Sequence, residues 1–142
     1  MARIVDEGDY FDAPIDKVWQ LLELHSSKIG DIHPGITNPT IERLGENQRM
    51  IQFAVDRNGE RVTVRIRTTS IPPLAQVVEL LDGRLAGSKI VNYYTPIGEK
   101  TAVSVIADFV SSSLTGSELE SAGRNFLSSG FEEDQAYLKR MR

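Results

Sequence analysis

The residues best placed for chemistry in this chain are a histidine, His33, an aspartate, Asp134, and the adjacent tyrosines Tyr93 and Tyr94; the other histidine, His25, ends the first helical segment. Imidazole changes charge near neutral pH, so a histidine beside a cavity is a candidate proton donor or ligand contact. Asp134 falls on the apolar side of the last helical segment, whereas Glu132 and Glu133 point elsewhere on the wheel. A carboxylate on that side needs a partner such as an arginine or a tyrosine hydroxyl, or else the helix overhangs the sheet and the group is solvated. Tyr93 and Tyr94 are neighbours on a strand, so one phenol faces in and the other out. A buried tyrosine is commonly a core residue with a satisfied hydroxyl, and an acid role is the alternative reading. Asn92 accompanies Tyr94 on its face, and Asp108 and Phe109 take opposite faces of the last strand.

Other chemistries find no support. The 142 residues contain no cysteine, which removes disulfides, thiolate metal sites, cysteine nucleophiles and iron–sulfur clusters. Two histidines eight apart without a cysteine do not make a zinc site, so neither a metal nor a cofactor is expected. The glycines between Gly83 and Gly87 lack phosphate-loop spacing, and no Gly-x-Ser-x-Gly elbow is present. Sixteen Lys and Arg against 20 Asp and Glu leave a net charge of −4, which argues against a polyanion partner. Arg61, Arg65 and Arg67 share one face of a strand, opposite Val62, Val64 and Ile66, and form a solvated outer stripe. No apolar run is long enough to span a bilayer and no cationic segment leads into an apolar one, so a cytoplasmic protein without membrane insertion is expected.

The elements that position these residues follow from periodicity. Pro14 suits the first position of a helix, and Ile15, Val18, Trp19 and Leu22 recur at helical spacing to about Leu24. Beyond Ile36, turn signals recur at strand-length intervals: Gly45-Glu46-Asn47, Asn58-Gly59, Pro72-Pro73, Asp82-Gly83 and Gly98-Glu99-Lys100. Asn58-Gly59 is the strongest hairpin signal. Ile51, Phe53 and Val55 alternate with Gln52, Ala54 and Asp56, and Val62, Val64 and Ile66 with Thr63, Arg65 and Arg67, which predicts half-buried antiparallel strands. Three more strands are predicted near residues 75 to 82, 86 to 96 and 100 to 110. Ser117-Glu118-Leu119-Glu120 has the form of a capping box and opens a long final helix, with Lys139, Arg140 and Arg142 at its electronegative end. Leu119, Phe126, Leu127, Phe131, Tyr137, Leu138 and Met141 share its inward face. Gly123 and Gly130 lie in the middle of that face, each costing roughly 1 kcal/mol of helix propensity against alanine. Either they leave room for a ligand, or they permit close packing or a kink.

A single α+β domain over residues 1–142 is expected, in the order strand, helix, loop, antiparallel strands and long C-terminal helix. That order resembles the START-like or SRPBCC superfamily, the helix-grip fold of polyketide cyclases, birch-pollen-type allergens and lipid-transfer domains. The residues that carry the resemblance are Phe11-Asp12-Ala13-Pro14-Ile15-Asp16-Lys17-Val18-Trp19, similar to an Ala-Pro-x-x-x-Val-Trp opening, then His33-Pro34, and Gly98-Glu99-Lys100-Thr101. It implies a curved sheet of about seven strands around the last helix, one or two short helices after the first strand, and an internal cavity.

On that resemblance the chain binds or carries a small hydrophobic, lipid-like or polyketide-like ligand between sheet and helix, and the segment around His33 forms a flap at the mouth. Trp19, His33, Tyr93, Phe126, Gly130 and Asp134 are the expected ligand contacts. A cyclase- or dehydratase-like enzyme using His33, Tyr93 and Asp134 in acid–base work is the second reading. A chaperone-regulatory or protein-interaction module acting through the outer sheet face is the third. Ligand identity and oligomeric state are left open.

Overall fold

The computed structural model describes residues 1–57 and 59–141, so the Asn58 half of the expected hairpin turn and the terminal Arg142 lie outside the described residues. Seven strands form one curved antiparallel sheet: β1 (Ala2–Phe11), β2 (Thr37–Gly45), β3 (Gln48–Arg57), β4 (Glu60–Ile71), β5 (Ala75–Leu80), β6 (Lys89–Ile97) and β7 (Lys100–Phe109). Helices α1 (Ile15–Leu24) and α2 (Ile29–Ile32) follow β1, and α3 (Gly116–Arg140) follows β7. The strand order β1-β7-β6-β5-β4-β3-β2 is a meander from β2 to β7, with β1 returning to pair with β7. This is the helix-grip arrangement that the element order led us to expect.

The alternation in the sequence sets the register. Ile51 pairs with Ile66 and Phe53 with Val64, so inward residues stand opposite inward residues along the β3–β4 hairpin. The same pleat turns Arg65 and Arg67 outward, where they meet Asp82 at 2.7 Å and Glu79 at 3.0 Å. On β7, Phe109 is buried and Asp108 faces outward to Arg3 at 2.6 Å.

Three boundaries differ from expectation for local reasons. Pro14 caps α1 instead of occupying its first turn: it is extended, and its carbonyl accepts from the N–H groups of Lys17 and Val18. The capping box at Ser117 does not form, because α3 begins at Gly116 with Thr115 as its cap and without a side-chain cap bond. Glu120 instead accepts from Arg124 one turn on, at 3.1 Å. Strand β6 starts at Lys89 because Gly87, at φ +93°, closes a turn by donating its N–H to the Leu80 carbonyl.

Two junctions hold α1 and α3 against the sheet. Thr101 is fully buried and its hydroxyl donates to the Ala13 carbonyl at 2.8 Å, fixing the entry to α1 on β7. Gln135 on α3 accepts from the Asp12 N–H at 3.0 Å and donates to the Tyr10 carbonyl at 2.8 Å. Phe131 stacks on Phe11 with ring centroids 4.8 Å apart. Leu119 and Leu138, near the two ends of α3, are both buried, so the helix is anchored at its ends. Among the described residues no helix is long and apolar enough to cross a membrane.

Candidate functional site

Between its anchored ends, α3 spans a cavity of about 1050 Å³ under the curved sheet. Its walls are largely aliphatic and aromatic: Ile51, Val64, Ile90 and Val103 come from the sheet, and Phe126 and Leu127 from the helix. A volume at the upper end of the usual range for small-molecule sites, with a few polar groups, is the form that such sites take.

The two glycines of α3 have separate roles. A Cβ added to Gly123 would lie 2.5 Å from the Phe109 ring, so this glycine admits a buried aromatic side chain against the helix. A Cβ added to Gly130 would meet no atom within 4 Å, and Gly130 lines the cavity. Close packing therefore explains the first glycine and open space the second. Phe126, one turn before Gly130, is 41% exposed, contacts the Phe109 ring edge-on at 6.3 Å and also lines the cavity.

One cluster of titratable groups gathers where the ends of α1 and α2 meet α3 at the wall. His25, the C-cap of α1, and His33, the C-cap of α2, bring their Nε2 atoms to 3.1 Å from each other. Asp134 on α3 places Oδ1 3.2 Å from His25 Nε2 and 3.3 Å from His33 Nε2. The far nitrogens are held as well. His25 Nδ1–H donates to the Leu21 carbonyl at 2.9 Å, and His33 Nδ1–H donates to Glu133 Oε1 at 2.9 Å. Burial opposes protonation of His33, but Asp134 and Glu133 outweigh it and raise its pKa above the ordinary imidazole value. Burial likewise opposes ionisation of Asp134, and the two imidazoles outweigh it, holding the carboxyl below the usual carboxylate range. Asp134 Oδ1 is shut off from solvent, and its contacts with the two rings are not well directed as hydrogen bonds.

Tyr94 and Arg49 also line the cavity, as do Thr68, Gln76 and Asn92 from the sheet. Tyr94 is 6% exposed, and burial, with the charge of Asp134 adding to it, pushes its hydroxyl pKa strongly upward, so it stays a neutral phenol. Arg49 reaches back to α1, donating to Glu23 at 3.3 Å and to the Ser26 hydroxyl.

Of the residues expected to contact a ligand, the structure brings His33, Phe126, Gly130 and Asp134 to the cavity wall. It does not bring Tyr93, which is 44% exposed on the outer face; the inward phenol is Tyr94, because the pleat pairs Ile90 and Asn92 with it. Trp19 also lies off the wall: it stands behind Tyr94, edge-on at 5.7 Å, and its indole N–H donates to the Pro73 carbonyl at 3.3 Å. The partners of Asp134 are histidines, not an arginine or a tyrosine, and Glu133 turns toward His33 instead of elsewhere. His25, Glu133 and Arg49 escaped the sequence reading. Only the Asp134 position on the inward face pointed to the place where they meet. The outer face carries exposed Val5 beside Ile106 on β1 and β7.

No family model matches the chain, and no curated protein matches it. Solved structures do. The Zhui aromatase/cyclase from Streptomyces sp. R1128 superposes with a TM-score of 0.78 at 18% identity, over 98% of this chain and 95% of that one. Ara h 8.0201 superposes with a TM-score of 0.73 at 11% identity, over 98% of both chains. Norcoclaurine synthase from Thalictrum flavum, solved with dopamine and hydroxybenzaldehyde, gives 0.66 at 11% identity, over 99% of this chain and 89% of its own. The chain thus has the helix-grip fold that these structures share.

Proposed function

We propose that the protein binds a small, mostly apolar, lipid-like or polyketide-like molecule between α3 and the sheet, oriented by the polar group around His33 and Asp134. The single observation that carries this reading is Gly130: a helix interior gives up side-chain packing and roughly 1 kcal/mol of propensity where the structure holds open space. Burying about 300 Å² of ligand apolar surface contributes roughly 7 kcal/mol before the costs of association, enough for useful affinity. The aromatase/cyclase and Ara h 8.0201 share the fold and so support the reading at that level only. Gly130→Leu projects a side chain into the cavity from the helix side and should weaken uptake of N-phenyl-1-naphthylamine, followed by fluorescence, while the circular dichroism spectrum stays native. Undiminished uptake would remove the reading.

A second reading, acid–base catalysis of a cyclisation, is favoured by one arrangement: Glu133 fixes the His33 ring so that Nε2 faces Asp134 at the cavity wall. Cyclisation of a linear diketone, followed by absorbance, should then be accelerated by the protein and lost in His33→Ala. Acceleration that survives the substitution counts against it.

A further inference from the structure

His25 Nε2, His33 Nε2 and Asp134 Oδ1 form a triangle with sides of 3.1, 3.2 and 3.3 Å. The hydrogen bonds behind them decide what each atom presents. A carbonyl only accepts, so the contact with the Leu21 carbonyl puts the hydrogen of a neutral His25 on Nδ1 and a lone pair on Nε2. The Glu133 carboxylate does the same for His33. Asp134 Oδ1 adds a third lone pair, screened from solvent and lacking a hydrogen-bond partner. With both rings neutral, three acceptors from three elements converge with no donor among them.

A proton can occupy only one edge of such a triangle at a time. A metal ion can occupy its centre: with bonds of about 2.0–2.1 Å, ligand atoms arranged tetrahedrally around zinc are about 3.3 Å apart. The observed spacing fits that figure without moving a backbone. We propose that His25, His33 and Asp134 bind one divalent first-row transition ion through these three atoms. Two imidazoles and one carboxylate suit zinc, cobalt or iron(II) and not calcium or magnesium, which prefer all-oxygen sets. The Leu21 carbonyl and Glu133 are the outer partners that metal-bound histidines generally have, fixing tautomer and ring orientation. All three ligands line the cavity, so the fourth position is left to water or to an oxygen atom of the cavity's occupant. Sequence spacing of eight between the histidines gave no sign of this, because the third ligand lies about a hundred residues further along.

The proposal stands apart from apolar-ligand binding, and its test needs no such ligand. Tag-free protein of full length, stripped with EDTA and titrated with CoCl2, should take up one equivalent and develop the visible absorption of four-coordinate cobalt, which ZnCl2 then displaces. His25→Asn and Asp134→Asn should weaken Co²⁺ binding by more than about 100-fold, and Glu133→Gln by about 10-fold. Gly130→Leu should keep the ion while binding the apolar probe more weakly. Circular dichroism reports whether each variant folds. Should the ligand variants not fold, Glu133→Gln decides, since an affinity equal to that of the parent overturns the proposal. So does the absence of saturable Co²⁺ binding, or binding undisturbed by His25→Asn and Asp134→Asn.

Discussion

Gly123 and Gly130 stand seven positions apart on one face of α3, yet the helix treats them in opposite ways. At Gly123 the absent side chain is replaced by the ring of Phe109, and the helix lies close on β7. At Gly130 nothing replaces it, and the wall of the cavity recedes. The titratable cluster begins one turn beyond the open glycine, with Glu133 and Asp134. One half of the helix is thus committed to holding the fold, and the other to lining a site.

Substitution at the closed glycine should break that contrast most strongly. Gly123→Val drives its side chain into Phe109 and should cost about 3 kcal/mol of stability in urea unfolding, the scale of an overpacked core. Combining it with Phe109→Leu should recover part of the loss, so that the double variant is more stable than the two single effects predict. Strict additivity would show that the two positions are not in contact.

Gly130→Ala should act with the opposite sign. Its methyl group enters open space on a helix, so a gain of roughly 0.5–1 kcal/mol is expected in the same unfolding measurement. A loss comparable to that at Gly123 would mean that the cavity is filled.

The mildest effect is a pH dependence confined to the open half. The groups facing His33 are His25 from the end of α1 and Glu133 and Asp134 from α3. Because the folded protein raises the His33 pKa, the stability this residue adds is complete below its unfolded value of about 6.5 and is lost as pH rises through the folded one. Asp134, whose pKa is lowered, contributes above about pH 4 and loses that contribution as pH falls through its folded value. Metal-free protein should therefore show a stability plateau between these limits. The acidic limb is shared with Glu79, Asp82 and Asp108, which are lowered by their arginine partners. On the alkaline side the contribution of buried Tyr94 declines only above about pH 10, and the decline that starts near neutral pH belongs to His33. Thermal melts of His33→Gln should lack that alkaline decline, while Gly130→Ala keeps it.

Much of the fold was legible because it is written in local periodicity. The alternation in β3 and β4 fixes which residues face inward, and Pro14 marks the start of α1 to within one residue. The inward face of α3 was legible too, and with it the position of Asp134. Beyond this, the reading reached its limit at each question of direction. Tyr93 and Tyr94 are chemically equivalent in sequence, and only the pairing of β6 with β7 turns the second one in. Trp19 lies on the apolar face of α1 as expected, but that face meets Tyr94 instead of the cavity.

By itself, the sequence determined the alternation of the strands, the amphipathic faces of the helices and the exclusion of cysteine chemistry, since each depends on residues near one another in the chain. The tertiary structure alone decided that His25, His33 and Asp134 share one point, and that one glycine of α3 is packed while the other is open. Those outcomes depend on where a curved sheet places segments about a hundred residues apart, and no local pattern encodes the curvature of a sheet.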